Sequence, residues 1–294
     1  MNKTAIRYSN ITALALIVQG AMYVVFSMTM SALSPDRAGW LRFVLLAAFS
    51  ALMNLLPAAL MHYVSGKPGE NELRLTQLAE KPKSSDKIAS TAGSAALVFA
   101  IGLLYEKVFP SVSADIPVSV DTPIYMHALM IFSLCVVPAV CEELFFRKIV
   151  ASRLAVAGKI SAVIASAMLF GLAHFSAAMF PYAFFAGILF GSVYFRTGSV
   201  KYSIAAHFFC NFTSYLFACA KVVMTDAAYS TLEIVTIASF FAAALILSLI
   251  DTRGASDAFK RSDEHAEAGS IITPTLAVYV AGVAAIILLW GPNG

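Results

Sequence analysis

Nine apolar stretches follow one another along the chain, at residues 11–33, 40–64, 90–109, 123–154, 158–175, 179–198, 200–224, 229–250 and 273–290. A bilayer core about 30 Å thick is crossed by roughly 20 apolar residues in a helix. Inside that core every backbone N–H and C=O must be bonded within the protein, which leaves helices and closed barrels as the only spanning structures. Runs of this length predict helices, so the fold class expected is all-α, a polytopic transmembrane helix bundle of about eight or nine spans. With 60% of residues hydrophobic and 13% charged, too little polar surface remains for a soluble catalytic domain. Spans joined by short links pack together, so residues 1–294 are expected to form one integral membrane domain, with 123–224 as its motif-bearing core. The first run is too long for a signal-peptide core and lacks a small-residue cleavage site, so it reads as a retained span.

Cytoplasmic loops hold an excess of Lys and Arg. With the N-terminus inside and nine crossings, fifteen of the twenty basic residues fall on the cytoplasmic side, and only Arg37, Arg42, Lys107 and Lys221 fall outside. This predicts a cytoplasmic N-terminus. The net charge of +3 is mild and the basic residues form no stripe, so nucleic acid is not an expected partner, whereas the lipid bilayer is. Cys135, Cys141, Cys210 and Cys219 lie inside apolar runs without metal-ligand spacing and read as small core residues. Two polar stretches, 65–89 and 251–272, read as solvated cytoplasmic connectors. The sequons at Asn10 and Asn211 lie too close to spans, or inside them, to signal glycosylation.

Charge appears where a span should be apolar. The segment CEELFFRKIV, 141–150, follows an uncharged run from Pro123 to Val140. An ionised side chain at the bilayer centre costs about 2.5–3.5 kcal/mol, so Glu142, Glu143 and Arg147 need compensation. On a helix Glu143 and Arg147, four apart, lie about 40° from one another and can pair, whereas Glu142 and Arg147 lie about 140° apart. This divides the roles: Glu143 and Arg147 are supporting residues, and Glu142 is free for chemistry. Pro138 leaves a carbonyl without its helical partner and favours a bend there. Taken alone, the segment also fits the headgroup end of a span.

Other spans add polar groups. His174 lies late in the fifth run, and His207 and Asn211, four apart, share a face of the seventh. At 1.5 Å per residue from the cytoplasmic helix ends, Glu142 lies about 18 Å deep, His174 about 24 Å, and His207 and Asn211 about 10 and 16 Å. Helix tilt absorbs that spread. The four are expected to meet near mid-membrane in a cavity reached from the cytoplasm, provided the fourth helix continues to about Leu154. There is no G-x-S-x-G, no H-E-x-x-H and no intramembrane Asp pair, which leaves Glu, His and Asn as the candidate groups.

Three ordered elements, EE-x-x-x-R at Glu142, Glu143 and Arg147, F-x-x-x-H at Phe170 and His174, and H-x-x-x-N at His207 and Asn211, resemble the motifs of the CAAX protease and bacteriocin-processing family, also called the Abi family, which includes type II CAAX prenyl endopeptidases. The run GILFGSVYFRTGSVKYSIAAHFFCN, 187–211, resembles that family's approach to its third motif. The resemblance implies an intramembrane endopeptidase in which Glu142, with His174, activates a water while His207 and Asn211 stabilise the oxyanion. No cofactor is then needed. The alternative is zinc held by Glu142, His174 and His207; Asn211 is a poor zinc ligand, and the implied site is complete without metal. Implied substrates are peptides or proteins, prenylated or bacteriocin or pheromone precursors. A rival reading is a transporter or peptide-binding scaffold that uses the buried Glu and His without catalysis. Ala183, Gly187 and Gly191 give the sixth span a face of small residues suited to close helix packing.

Overall fold

The computed structural model describes residues 3–33, 39–66, 82–110, 116–250 and 273–290. The expected connectors fall largely outside this set, at 67–81 and 251–272. Among the described residues there are nine helices and no strand: α1 (Lys3–Ala32), α2 (Gly39–Ser65), α3 (Ser84–Val108), α4 (Ile124–Ala157), α5 (Lys159–Leu172), α6 (Phe180–Thr197), α7 (Val200–Val223), α8 (Asp226–Ile250) and α9 (Pro274–Trp290). Five of them, α1 to α4 and α8, are long and apolar enough to cross a membrane. The chain is an all-α integral membrane protein.

The helices pair α1 with α2, α3 with α8, and α5 with α6, while α7 lies against α3, α4 and α6. The α5–α6 contact follows from the small face of α6. A Cβ on Gly187 would stand 2.9 Å from the Cα of Ala167, and one on Gly191 would stand 3.3 Å from Val163. Glycine also turns the chain at both ends of this hairpin. Gly158 (φ 102°) precedes α5 and Gly198 (φ 67°) follows α6, conformations that cost a residue bearing Cβ.

Two elements depart from the sequence reading. Helix α4 is not a uniform α-helix: π segments at Ile131–Val136 and Leu144–Ala151 flank a short α segment, Val137–Glu143, that contains Pro138. The proline has no N–H for the carbonyl of Leu134, four residues back, and the widened turns around it are the local response. Helix α5 is shorter than the expected run 158–175. Its 14 residues span about 21 Å, less than a bilayer core, so the turn after it ends within the protein. His174 therefore lies in that turn and not in a helix.

Backbone at such depth needs internal partners, and the turn has them. The N–H of Phe175 donates to Leu172 O (3.0 Å), that of Phe180 to Ser176 O (2.9 Å), and the hydroxyl of Tyr105 on α3 donates to Ala178 O (2.7 Å). Phe175 adopts φ 50°, the one positive value outside glycine among the described residues. Such a conformation costs on the order of 1–2 kcal/mol for a residue bearing Cβ. Its ring is buried and stacks on Tyr23 of α1, centroids 4.0 Å apart and planes 15° apart, in the space left by Gly20.

Candidate active site

The centre of the site is a buried imidazole between two carboxylates. His207, on α7, has Nδ1 3.1 Å from Glu143 Oε1 and Nε2 4.0 Å from Glu142 Oε2. An ionised carboxylate only accepts, so Nδ1 donates to Glu143. The other oxygen of Glu143 lies 3.1 Å from Arg147 Nε, as their spacing of four residues predicts, and both side chains are 0% exposed. Glu142 retains 20% exposure. The sequence reading separated the two acids by their angle on one helix. The structure adds that one ring, from a helix 64 residues later, lies between them.

Aromatic rings enclose this charge. The guanidinium of Arg147 stands over Phe170 at 4.4 Å and within 5.9 Å of Phe190. Its terminal nitrogens find no hydrogen-bond acceptor among the described residues, so charge and ring faces hold it. Phe190 stacks on His207 at 4.9 Å and 17°. Phe170 meets both histidines edge to face, His207 at 5.9 Å and His174 at 5.0 Å between centroids. His174 also has Nδ1 2.8 Å from the carbonyl of Phe170, which turns Nε2 away from that bond. Thus Glu142, Glu143, Arg147 and His207 meet directly, and His174 joins them across Phe170.

Asn211 lies one turn beyond His207 on α7. Its Nδ2 donates to Leu134 O at 3.3 Å, the carbonyl that Pro138 cannot serve. The second π segment is tied similarly, with Ser166 Oγ of α5 donating to Phe146 O at 2.8 Å. A cavity of about 610 Å³ reaches Asn211 from the end of the bundle where α3 and α7 finish and α8 begins; Glu106, Lys107, Lys221 and Glu233 line its outer part.

Sequence reasoning missed Phe190 and the linking role of Phe170. The signal for Phe190 was its place beside Gly187 and Gly191, on a helix edge forced close to its neighbours.

The zinc alternative can be tested on donor geometry. Among the described residues no three His, Cys, Asp or Glu side chains converge on a metal-sized site. Glu142 faces Nε2 of His207 and Glu143 faces Nδ1, so the two acids do not converge on one point, and no third donor joins either pair among the described residues. The arrangement does not fit a three-ligand zinc centre.

No curated protein and no solved structure matches the chain. Residues 124–213 match the protein-family model described as Type II CAAX prenyl endopeptidase Rce1-like, a segment that contains Glu142, Glu143, Arg147, Phe170, His174, His207 and Asn211. Over residues 124–213, less than a third of the chain, this integral membrane protein is thus similar to the type II CAAX prenyl endopeptidases.

Proposed function

We propose that the chain is an intramembrane endopeptidase in which Glu142, with His174, draws a proton from an attacking water, His207 and Asn211 bind the oxyanion that forms, and the proton passes to the departing amine as the C–N bond breaks. The observation that carries this reading is the pair of anchored donors on one face of α7, His207 fixed by Glu143 and Asn211 fixed by the Leu134 carbonyl. Of the two N–H bonds on Asn211 Nδ2, one is used on Leu134 and the other is left for a substrate oxygen. His207 donates from Nε2 when the ring carries both protons, and that positive charge then lies between two carboxylates. Glu142 keeps 20% of its side-chain surface exposed, while Glu143 is sealed at 0%. This difference supports Glu142 as base and Glu143, with Arg147, as support. Each preorganised oxyanion donor is worth about 3–4 kcal/mol in comparable chemistry.

The proposed substrates are membrane-borne peptides or proteins, prenylated CAAX chains or peptide precursors. The test is cleavage by purified protein of a peptide library that contains prenylated CAAX and unprenylated precursor sequences. Glu142→Gln should lower turnover by about 10²–10⁴-fold with the fold retained. Full activity in that variant refutes the base. Activity lost to a chelator and restored by zinc refutes the metal-free reading. A wild type that cuts nothing across the library supports the transporter or scaffold reading instead.

A further inference from the structure

The cavity of about 610 Å³ opens where α3 stops at Val108, α7 stops at Val223 and α8 begins at Asp226. Its lining includes Asn211 but none of Glu142, His174 and His207, so it meets the acid–histidine cluster only at that amide and is a site of its own. The volume falls within the roughly 300–1,000 Å³ of small-molecule pockets.

Four charged side chains line it: Glu106 and Lys107 of α3, Lys221 of α7 and Glu233 of α8, with a formal sum of zero. Lys107 Nζ and Glu233 Oε2 stand 2.5 Å apart and satisfy one another, which ties α3 to α8. Glu106 and Lys221 form no hydrogen bond or ion pair among the described residues. One anion and one cation are therefore left facing a shared space. A ligand with a single charge would serve one of them and leave the other, whereas a zwitterion serves both.

The surroundings select the kind of zwitterion. Helix ends in a spanning bundle lie at the level of the lipid headgroups, and Tyr105, Tyr182 and Tyr229 in the cavity wall are of the residue type enriched there. Beside the mouth the surface turns apolar, with Val222 of the cavity wall and Val223, Ile234 and Val235 all exposed. A free zwitterion gains nothing from that edge, whereas an acyl chain covers it.

We infer that this cavity binds the headgroup of a zwitterionic phospholipid, its ammonium on Glu106, its phosphate on Lys221 and an acyl chain along the exposed start of α8. The inference does not depend on the peptidase reading. The bound lipid would also brace the site indirectly. Tyr105 and Tyr182 stack in the cavity wall with centroids 6.2 Å apart, and the Tyr105 hydroxyl holds the carbonyl of Ala178 in the turn that carries His174.

Native mass spectrometry of the purified protein tests the assignment by weighing the lipids it retains from detergent. The probes are phosphatidylethanolamine, phosphatidylcholine and phosphatidylglycerol with the same acyl chains, in equal amounts. The two zwitterionic lipids should be retained about tenfold over the anionic one, the ratio that one ion pair of about 1.4 kcal/mol supplies. Glu106→Gln leaves the cavity with a formal charge of +1 and should move the preference to phosphatidylglycerol, a reversal that mere loosening of the fold does not produce. Lys221→Gln, at an exposed position, should lower retention of both zwitterionic lipids about tenfold and supplies the comparison if Glu106→Gln does not fold. Wild type that retains phosphatidylglycerol as well as the zwitterionic lipids overturns the inference, as do unchanged ratios in folded Glu106→Gln or unchanged retention in Lys221→Gln. Glycerophosphoethanolamine, which has the headgroup without acyl chains, should displace the lipid poorly. Displacement at equal concentration would assign the cavity to a soluble zwitterion and overturn the lipid.

Discussion

Arg147→Met tests whether the buried charges hold the site together. Methionine keeps much of the side-chain length and removes the cation, which leaves Glu143 buried at 0% exposure with the hydrogen bond from His207 Nδ1 in place of an ion pair. Removing one member of a buried ion pair costs about 3–5 kcal/mol, because the other charge stays desolvated. The Phe170 face at 4.4 Å loses its cation as well, an interaction worth up to about 2 kcal/mol when desolvated and partly included in the first figure. At roughly 2–4 °C per kcal/mol for a chain of this size, Tm should fall by roughly 6–20 °C. The buried thiols of Cys135, Cys141 and Cys210 supply the assay, since a thiol-reactive fluorophore reports their exposure on heating in detergent. Glu143→Gln combined with Arg147→Met removes both charges and retains an acceptor for His207. The double variant should recover about half of the loss or more, with the cation–π part unrecovered. A single-variant shift under about 2 °C, or a double variant less stable than the single, would refute the reasoning.

Asn211→Ala should cut turnover by about 10²–10³-fold with substrate affinity little changed, read as kcat and KM on a cleaved library peptide; equal losses in both would assign Asn211 to binding. Gly187→Ala should destabilise by about 1–3 kcal/mol despite alanine's better helix propensity, because its Cβ would press on the Ala167 backbone at 2.9 Å; unchanged thermal stability would contradict the close α5–α6 contact. Tyr23→Leu should loosen Phe175 and lower turnover more than stability, since a stacked aromatic pair contributes about 0.5–1.5 kcal/mol beyond its buried area, whereas Tyr23→Phe keeps the stack and should keep the rate.

The helices were legible because their cause is local: an apolar run of spanning length must bond its own backbone, and every described helix falls on an expected run. Helix ends were less legible where distant contacts set them. The apolar residues after Leu172 continue the pattern, but Phe175 turns to φ 50° and its ring is taken up by Tyr23 on a helix about 150 residues earlier in the sequence. The motif residues were readable as chemistry, and the Glu143–Arg147 pair as geometry, because both partners share one helix. The position of His207 between Glu142 and Glu143 was not readable, since a helical wheel orders side chains around their own axis and carries nothing about which ring a neighbouring helix inserts.

Pro138 and Asn211 were each visible in the sequence, one as a missing donor and the other as a costly amide within a span. Neither is explained alone. A carbonyl without its helical partner at membrane depth is unfavourable, and so is an amide with no acceptor. The 3.3 Å contact from Asn211 to Leu134 O relieves both costs and fixes the amide where it meets the cavity. The distortion of α4 is therefore more than a kink that the fold tolerates. It supplies the acceptor that orients Asn211, and it lies in the same helix that brings Glu142 and Glu143 to opposite sides of His207. Straightening that helix would remove the acceptor and turn the acids relative to α7 together, so the geometry at the two ends of this arrangement depends on one proline.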